Sequence, residues 1–109
     1  DLHVVAAYEP VPPEYLRIPV TEEVIDAPRE WAQAILAKAK VEIGEIPGRM
    51  YEEIHEGSPA EVVLDVAKAC SADLIVMGTR GLTRLASLVV GSQSQKVLAH
   101  ASCPVLLVR

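Results

Sequence analysis

The apolar positions of this chain fall into two kinds of run. LHVVAAY (2–8), DLIVM (73–77) and CPVLLVR (103–109) are short, nearly continuous and rich in Val and Leu. Bounded by proline or glycine, such runs predict buried strands. Pro104 falls at the start of the last one, where a missing donor is tolerated. GRMYEEIHE (48–56) alternates instead, with Met50, Glu52 and Ile54 on one face, and its polar character predicts an edge strand. Between these runs the apolar residues recur at helical spacing. Trp31, Ile35, Leu36 and Ala39 share a face of a helix expected to begin near Asp26, with Asp26 or Ala27 as cap and Pro28 in the first turn. That helix should stop near Gly44. In SPAEVVLDVAKAC (58–70), Ser58 can cap, Pro59 suits the first helical position, and Glu61 completes a capping box. Val62, Val63, Val66, Ala67 and Cys70 form its stripe. SQSQKVLAHA (92–101) follows Gly91 with Ser92 as cap and Val97, Leu98 and Ala101 inward. Glu9 to Thr21 carries four prolines and reads as a loop.

Strands therefore alternate with helices in the order β, α, β, α, β, loop, α, β. This predicts an α/β domain with a parallel sheet and helices on its faces. A chain of 109 residues suits one domain. Phe is absent, so Val, Leu, Ile and Ala must fill the core. No apolar run nears the ~18 residues of a membrane span, and no signal-like segment occurs, so a cytoplasmic protein is expected. Cys70 and Cys103 form no CxxC pair and lie in apolar contexts, as expected of buried free thiols. The net charge of -5 argues against nucleic-acid or anionic-membrane binding. Yet all 15 acids lie at or before Asp73, and only Arg80, Arg84, Lys96 and Arg109 are charged beyond it.

Those late positive charges surround GTRGLTRLASLVVGS (78–92). Gly78 follows a strand directly, and ligands of open parallel sheets sit at the carboxyl ends of strands. Glycines let the backbone turn and approach a ligand closely. Gly91 and Ser92 then open a helix, whose free amides and dipole favour a phosphate. The Ser92 hydroxyl can add a hydrogen bond, and Arg80, Arg84 and Lys96 supply charge. A phosphate cradle and a plain strand-to-helix loop both fit this composition.

The spacing Gly78, two residues, Gly81, nine residues, Gly91, Ser92 resembles the ATP-binding motif of the universal stress protein family. ADLIVMGTRG before it, GSQSQKVLAHASCPVLLVR after it and EGSPAEVV upstream resemble the family's successive segments. The resemblance implies a doubly wound, Rossmann-like fold of the adenine nucleotide alpha hydrolase type, with strand order 3-2-1-4-5. It implies that ATP is bound, with Mg²⁺ or Mn²⁺ on its phosphates. Gly78, Gly81, Gly91 and Ser92 match the phosphate-loop positions, Met77 precedes the first glycine, and Arg80 stands within the loop. Gln93 and Ser94 continue the helix start, where the family's backbone approaches the phosphates. Ala7 corresponds to a position beside the adenine. Family dimers pair their last strands, which makes Val105–Arg109 the candidate homodimer edge. Gln93 departs from the family, which commonly has Val there.

The front departs further. The family's first strand and helix have no counterpart, and that strand is central in the implied order. Residues 1–109 are therefore expected to form an incomplete domain, the missing unit being supplied upstream, by another chain or by a swapped element. The implied function is an ATP-binding stress-response regulatory module acting as a dimer. The alternatives are an interaction protein of the same fold with an unused site, or a slow ATPase or self-phosphorylating protein. No GxSxG, GxGxxG or GxxxxGK[ST] occurs. His3, His55 and His100 are expected to be surface or packing residues, and no metal ligand is assigned. Trp31 is expected in the core. Leu82, Leu85, Leu88 and Val89 form either a short buried turn or a lid over nucleotide.

Overall fold

The order of elements is the expected one: β1 (Leu2–Tyr8), α1 (Glu22–Ile43), β2 (Met50–Glu56), α2 (Pro59–Ala69), β3 (Ile75–Gly78), α3 (Ser92–His100) and β4 (Val105–Val108). The computed structural model describes residues 1–12, 14, 21–79 and 91–109. All strand pairing among them is parallel: β1 with β2, from Leu2 opposite Met50 to Tyr8 opposite Glu56, and β3 with β4, from Ile75 opposite Val105 to Gly78 opposite Val108. The order 3-2-1-4-5 without its first strand retains two adjacent pairs, and these are the pairs formed. The described residues divide into two units, 1–59 and 60–109.

In the first unit α1 packs on the β1–β2 pair and buries Ala32 and Leu36. The helix begins four residues before Asp26. Thr21 caps it, its hydroxyl accepting from Val24 N at 3.4 Å, and Glu22 and Glu23 place negative charge at the positive end of the dipole. Pro28 consequently lies inside the helix rather than in its first turn. Gly44 ends it as expected, at φ 69°, donating to Lys40 O. Trp31 is 50% exposed rather than core, because the buried stripe runs through Ala32 and Leu36, one position further round the helix. β1 is half-buried along its whole length rather than buried, having β2 as its one strand partner among the described residues.

In the second unit Ala60, Ile75 and Val97 form the core, with Val63, Leu64, Ala67, Met77, Ala101, Cys103 and Val105 packed around it. β3 is not buried on both faces as its apolar run suggested. Ile75 is buried, while Val76 is 59% exposed, opposite the exposed Leu106. One face of this pair rests on the core and the other is open, which gives the alternation of a half-covered sheet. Leu98 likewise points outward, since the α3 stripe runs through Ser94, Val97 and Ala101. Both cysteines are free and half-buried rather than buried. No described helix is long and apolar enough to cross a membrane.

Candidate functional site

The junction from β3 to α3 is closed by three hydrogen bonds. Thr79 N donates to Val108 O at 2.9 Å, which extends the β3–β4 ladder by one residue. Gly91 N donates to Thr79 O at 2.8 Å, and the Ser94 hydroxyl donates to Gly78 O at 2.8 Å. The first turn of α3 is thus set directly against the carboxyl end of β3, although residues 80–90 separate them in sequence. Gly91 has φ -60° and ψ 154°, angles open to any residue. Space rather than dihedral angle favours glycine here, because a Cβ would stand 3.0 Å from the Thr79 carbonyl oxygen, tighter than an ordinary contact.

Gly91, not Ser92, is the N-cap, and it has no side chain with which to cap. Ser92 is the first helical residue, a shift of one position caused by the Thr79 contact. The first intrahelical bond runs from Gln95 N to Gly91 O at 3.0 Å. The amides of Ser92, Gln93 and Ser94 therefore have no acceptor within their own helix. The Gly91 amide is engaged by Thr79 and is not one of these donors. Gly78 and Ser92 are exposed, as is Lys96 one turn on, while Met77 is partly buried against the core. Arg80, Gly81, Arg84 and the stripe from Leu82 to Val89 lie outside the described residues.

Gln93 and Ser94 use their side chains within the protein. Ser94 is 3% exposed and closes onto Gly78. The Gln93 side-chain carbonyl accepts from Ala60 N at 2.9 Å and so caps α2. Ser58 was the expected cap of that helix, yet its hydroxyl is buried without a partner. The capping box with Glu61 is not made, since the Ser58 hydroxyl does not accept from the Glu61 amide, and the amide of Ala60 goes to Gln93.

Ala7 is in the first unit, at the carboxyl end of β1. With Tyr8, Glu9, Pro28, Trp31 and Pro59 it lines a cleft of about 230 Å³. The resemblance named Ala7 and missed its neighbours, and helical spacing assigned Trp31 to the core face. β1–β2 pairing also brings together residues that are far apart in sequence. His3 Nδ1 lies 3.0 Å from Glu53 Oε2, His55 Nε2 lies 3.3 Å from Glu53 Oε1, and the His3 ring stacks on Tyr51 at 4.7 Å. The His3 contact holds the Glu53 carboxyl below its ordinary range, against an opposing effect of burial, with a smaller contribution from His55. His55 is exposed and His3 half-buried, in keeping with the surface or packing roles expected of them, and both are partners of a carboxylate. Among the described residues, no group of three or more His, Cys, Asp or Glu could hold a metal ion.

A parallel α/β framework with a glycine-bordered, uncapped helix start defines the class. The Universal stress protein family model matches residues 1–109, and the chain belongs to that family. It is 52% identical over 108 residues to the universal stress protein in the QAH/OAS sulfhydrylase 3′ region of Thermus aquaticus, covering 99% of this chain and 77% of that protein. It is 38% identical over 77 residues to the stress response protein NhaX of Bacillus subtilis, a match that spans 71% of this chain and 46% of NhaX. Among solved structures, UspA from Lactobacillus plantarum superposes with a TM-score of 0.74 at 25% identity, over 99% of this chain and 77% of that one. A universal stress protein crystallised in complex with cAMP superposes with a TM-score of 0.64 at 26% identity, over 99% and 76% of the two chains.

Proposed function

We propose that this protein is a nucleotide-binding regulatory module that takes ATP, with the phosphates at the start of α3. The observation that carries this reading is the Gly91 cap. A residue without a side chain donates its amide to the Thr79 carbonyl at 2.8 Å, where an added Cβ would stand only 3.0 Å from that oxygen, and it leaves the following amides with no side-chain cap. Three amides without intrahelical acceptors, at the positive end of the helix dipole, suit an oxyanion. The exposed Ser92 hydroxyl can donate to the same group, and Lys96 adds charge. Gly81 and Arg80 complete the proposed loop by the family motif. The cAMP complex of a relative supports a nucleotide as the ligand class.

ATP fits this donor set, since its triphosphate offers many oxygens to amides and hydroxyls. Mg²⁺ or Mn²⁺, when bound, would neutralise charge between phosphate oxygens, and the phosphates themselves would be its main ligands. The protein's own groups orient the chain of phosphates. By the same resemblance the adenine is proposed beside Ala7, in the cleft of the first unit that Tyr8 and Trp31 line. Binding biases a partner contact, for which the exposed Val76, Leu106 and Val108 and the second edge of β4 are suited. We place a homodimer on that edge, Val105–Arg109.

The test is mass spectrometry of small molecules released from the protein expressed from its natural gene and purified without nucleotide. ATP or another adenine nucleotide at near one per chain is expected, reduced in Gly91→Val. Protein free of nucleotide that gains none on incubation with ATP and Mg²⁺ overturns the proposal and favours an interaction protein with an unused site.

A further inference from the structure

Gln93 directly follows the glycine motif, and its side chain has a specific partner. Its carbonyl oxygen lies 2.9 Å from Ala60 N, 33 residues away in sequence. Ala60 is fully buried and belongs to the core with Val97, one helical turn beyond Gln93. The bond therefore joins the second residue of α3 to the second residue of α2. The amide at that position of a helix commonly donates to the side chain of the local cap. Here the local candidate, Ser58, makes none.

We infer that Gln93 is a positioning residue, which clamps the first turn of α3 to the start of α2 and so fixes the amides of Ser92–Ser94. The inference rests on the proposed phosphate site for its functional consequence, but the clamp exists without it. Two ties hold this turn from different sides. The Ser94 hydroxyl pulls it to the end of β3 through Gly78 O, and the Gln93 carbonyl pulls it to α2. A helix start is the part of a helix that frays most readily, because its first amides contribute no intrahelical bond. A turn held at two points presents its amides in one orientation, which lowers the ordering needed when an anion arrives. A Val at this position could fill space but could not accept the Ala60 proton. In this chain, movement at the start of α2 is transmitted to the anion-facing turn through one hydrogen bond.

The experiment compares Gln93→Met, which keeps length and loses the acceptor, with Gln93→Glu, which keeps an acceptor. Val66→Ala, in the buried face of α2, serves as a control for lowered stability alone. Amide hydrogen exchange is followed by NMR at Ala60, Gln95 and Lys96. Gln93→Met is expected to speed exchange at all three at least fivefold beyond any global change. Gln93→Glu should restore protection at Ala60. Affinity for ATP and for inorganic tripolyphosphate, measured by calorimetry, should fall about threefold to tenfold in Gln93→Met and stay unchanged in Val66→Ala, the range expected from losing one positioning hydrogen bond. Unchanged exchange at Gln95 and Lys96 in Gln93→Met overturns the inference, as does an equal loss of affinity in Val66→Ala. If the unaltered protein binds neither ligand, the proposed function fails, and exchange alone still decides whether Gln93 clamps the turn.

Discussion

Replacing Gly91 with Ala adds one carbon, and the structure says what that carbon meets. At φ -60° and ψ 154° an alanine is unstrained, so no dihedral penalty applies. In the unfolded chain alanine is stiffer than glycine, which alone would stabilise the protein by about 0.4–1 kcal/mol. Against this stands a contact of 3.0 Å between the new Cβ and Thr79 O. Thr79 cannot simply retreat, since its own N–H is bonded to Val108 O at 2.9 Å, in line with the β3–β4 ladder. Gly91 N must then move away from Thr79 O, and their 2.8 Å bond lengthens. Overpacking of this kind costs about 1–3 kcal/mol. The balance is a net loss of about 1 kcal/mol.

Urea unfolding followed by circular dichroism measures it. The midpoint is expected to fall by about 0.5–1 M with an unchanged slope. Phosphate affinity should fall with it, by about fivefold for a 1 kcal/mol misplacement of the helix start. Gly44→Ala is the contrast. No atom lies within 4 Å of its added carbon, but its φ of 69° with ψ -151° is foreign to alanine, so stability falls while phosphate affinity does not. A Gly91→Ala protein as stable as its parent, or more so, would mean that the Thr79 carbonyl does not crowd this residue. The spatial reason for glycine here would then be lost.

Ser58→Ala separates local pattern from actual structure. A working cap would cost about 1 kcal/mol on removal, whereas deleting a buried hydroxyl without a partner is expected to leave the urea midpoint unchanged or raise it. Glu53 governs an acid-side effect. Its carboxyl is held low in the folded state, so its contribution is complete above the unfolded value of about 4.3 and is lost as pH falls below it toward the folded value. Between pH 6 and pH 3 the urea midpoint should therefore fall less in Glu53→Gln than in the parent. Trp31 is the one tryptophan of the chain, and it lines the cleft at Ala7. Adenosine should alter its fluorescence while tripolyphosphate should not, and an emission unmoved by adenosine removes the base from that cleft.

Much of the fold was legible because its determinants are local. Val-rich runs punctuated by proline and glycine located β1 and β4 to within a residue or two, and Gly44 marked the end of α1. Where the expectation missed, a competing local signal or an absent neighbour was responsible. Pro28 pointed to a helix start, but Thr21 followed by two glutamates made a better one seven residues earlier. DLIVM looked buried on both faces, yet Val76, with Leu106 opposite it, is more than half exposed. An apolar run reports what a strand can bury, not how many layers cover it.

The site was legible in a different sense. Glycine spacing led to the expectation of a close approach of backbone to a ligand, and what the structure has at Gly91 is a close approach to the Thr79 carbonyl, at dihedral angles open to any residue. Side-chain partners could not be read in the same way. Ser58 was placed to accept from an early amide of α2, yet its hydroxyl has no partner, and the amide of Ala60 went to Gln93. A local rule ranks the acceptors along a few residues of chain. Folding ranks all acceptors that tertiary packing brings within 3 Å, and burial decides between them, since an amide in the core must be satisfied by whichever group can reach it without leaving a rotamer well. Core packing fixes Ala60 and Val97 in one cluster, so the side chain one turn ahead of Val97 is delivered to α2 whatever Ser58 offers. The unpaired Ser58 hydroxyl is what remains of the local solution after the tertiary one has won.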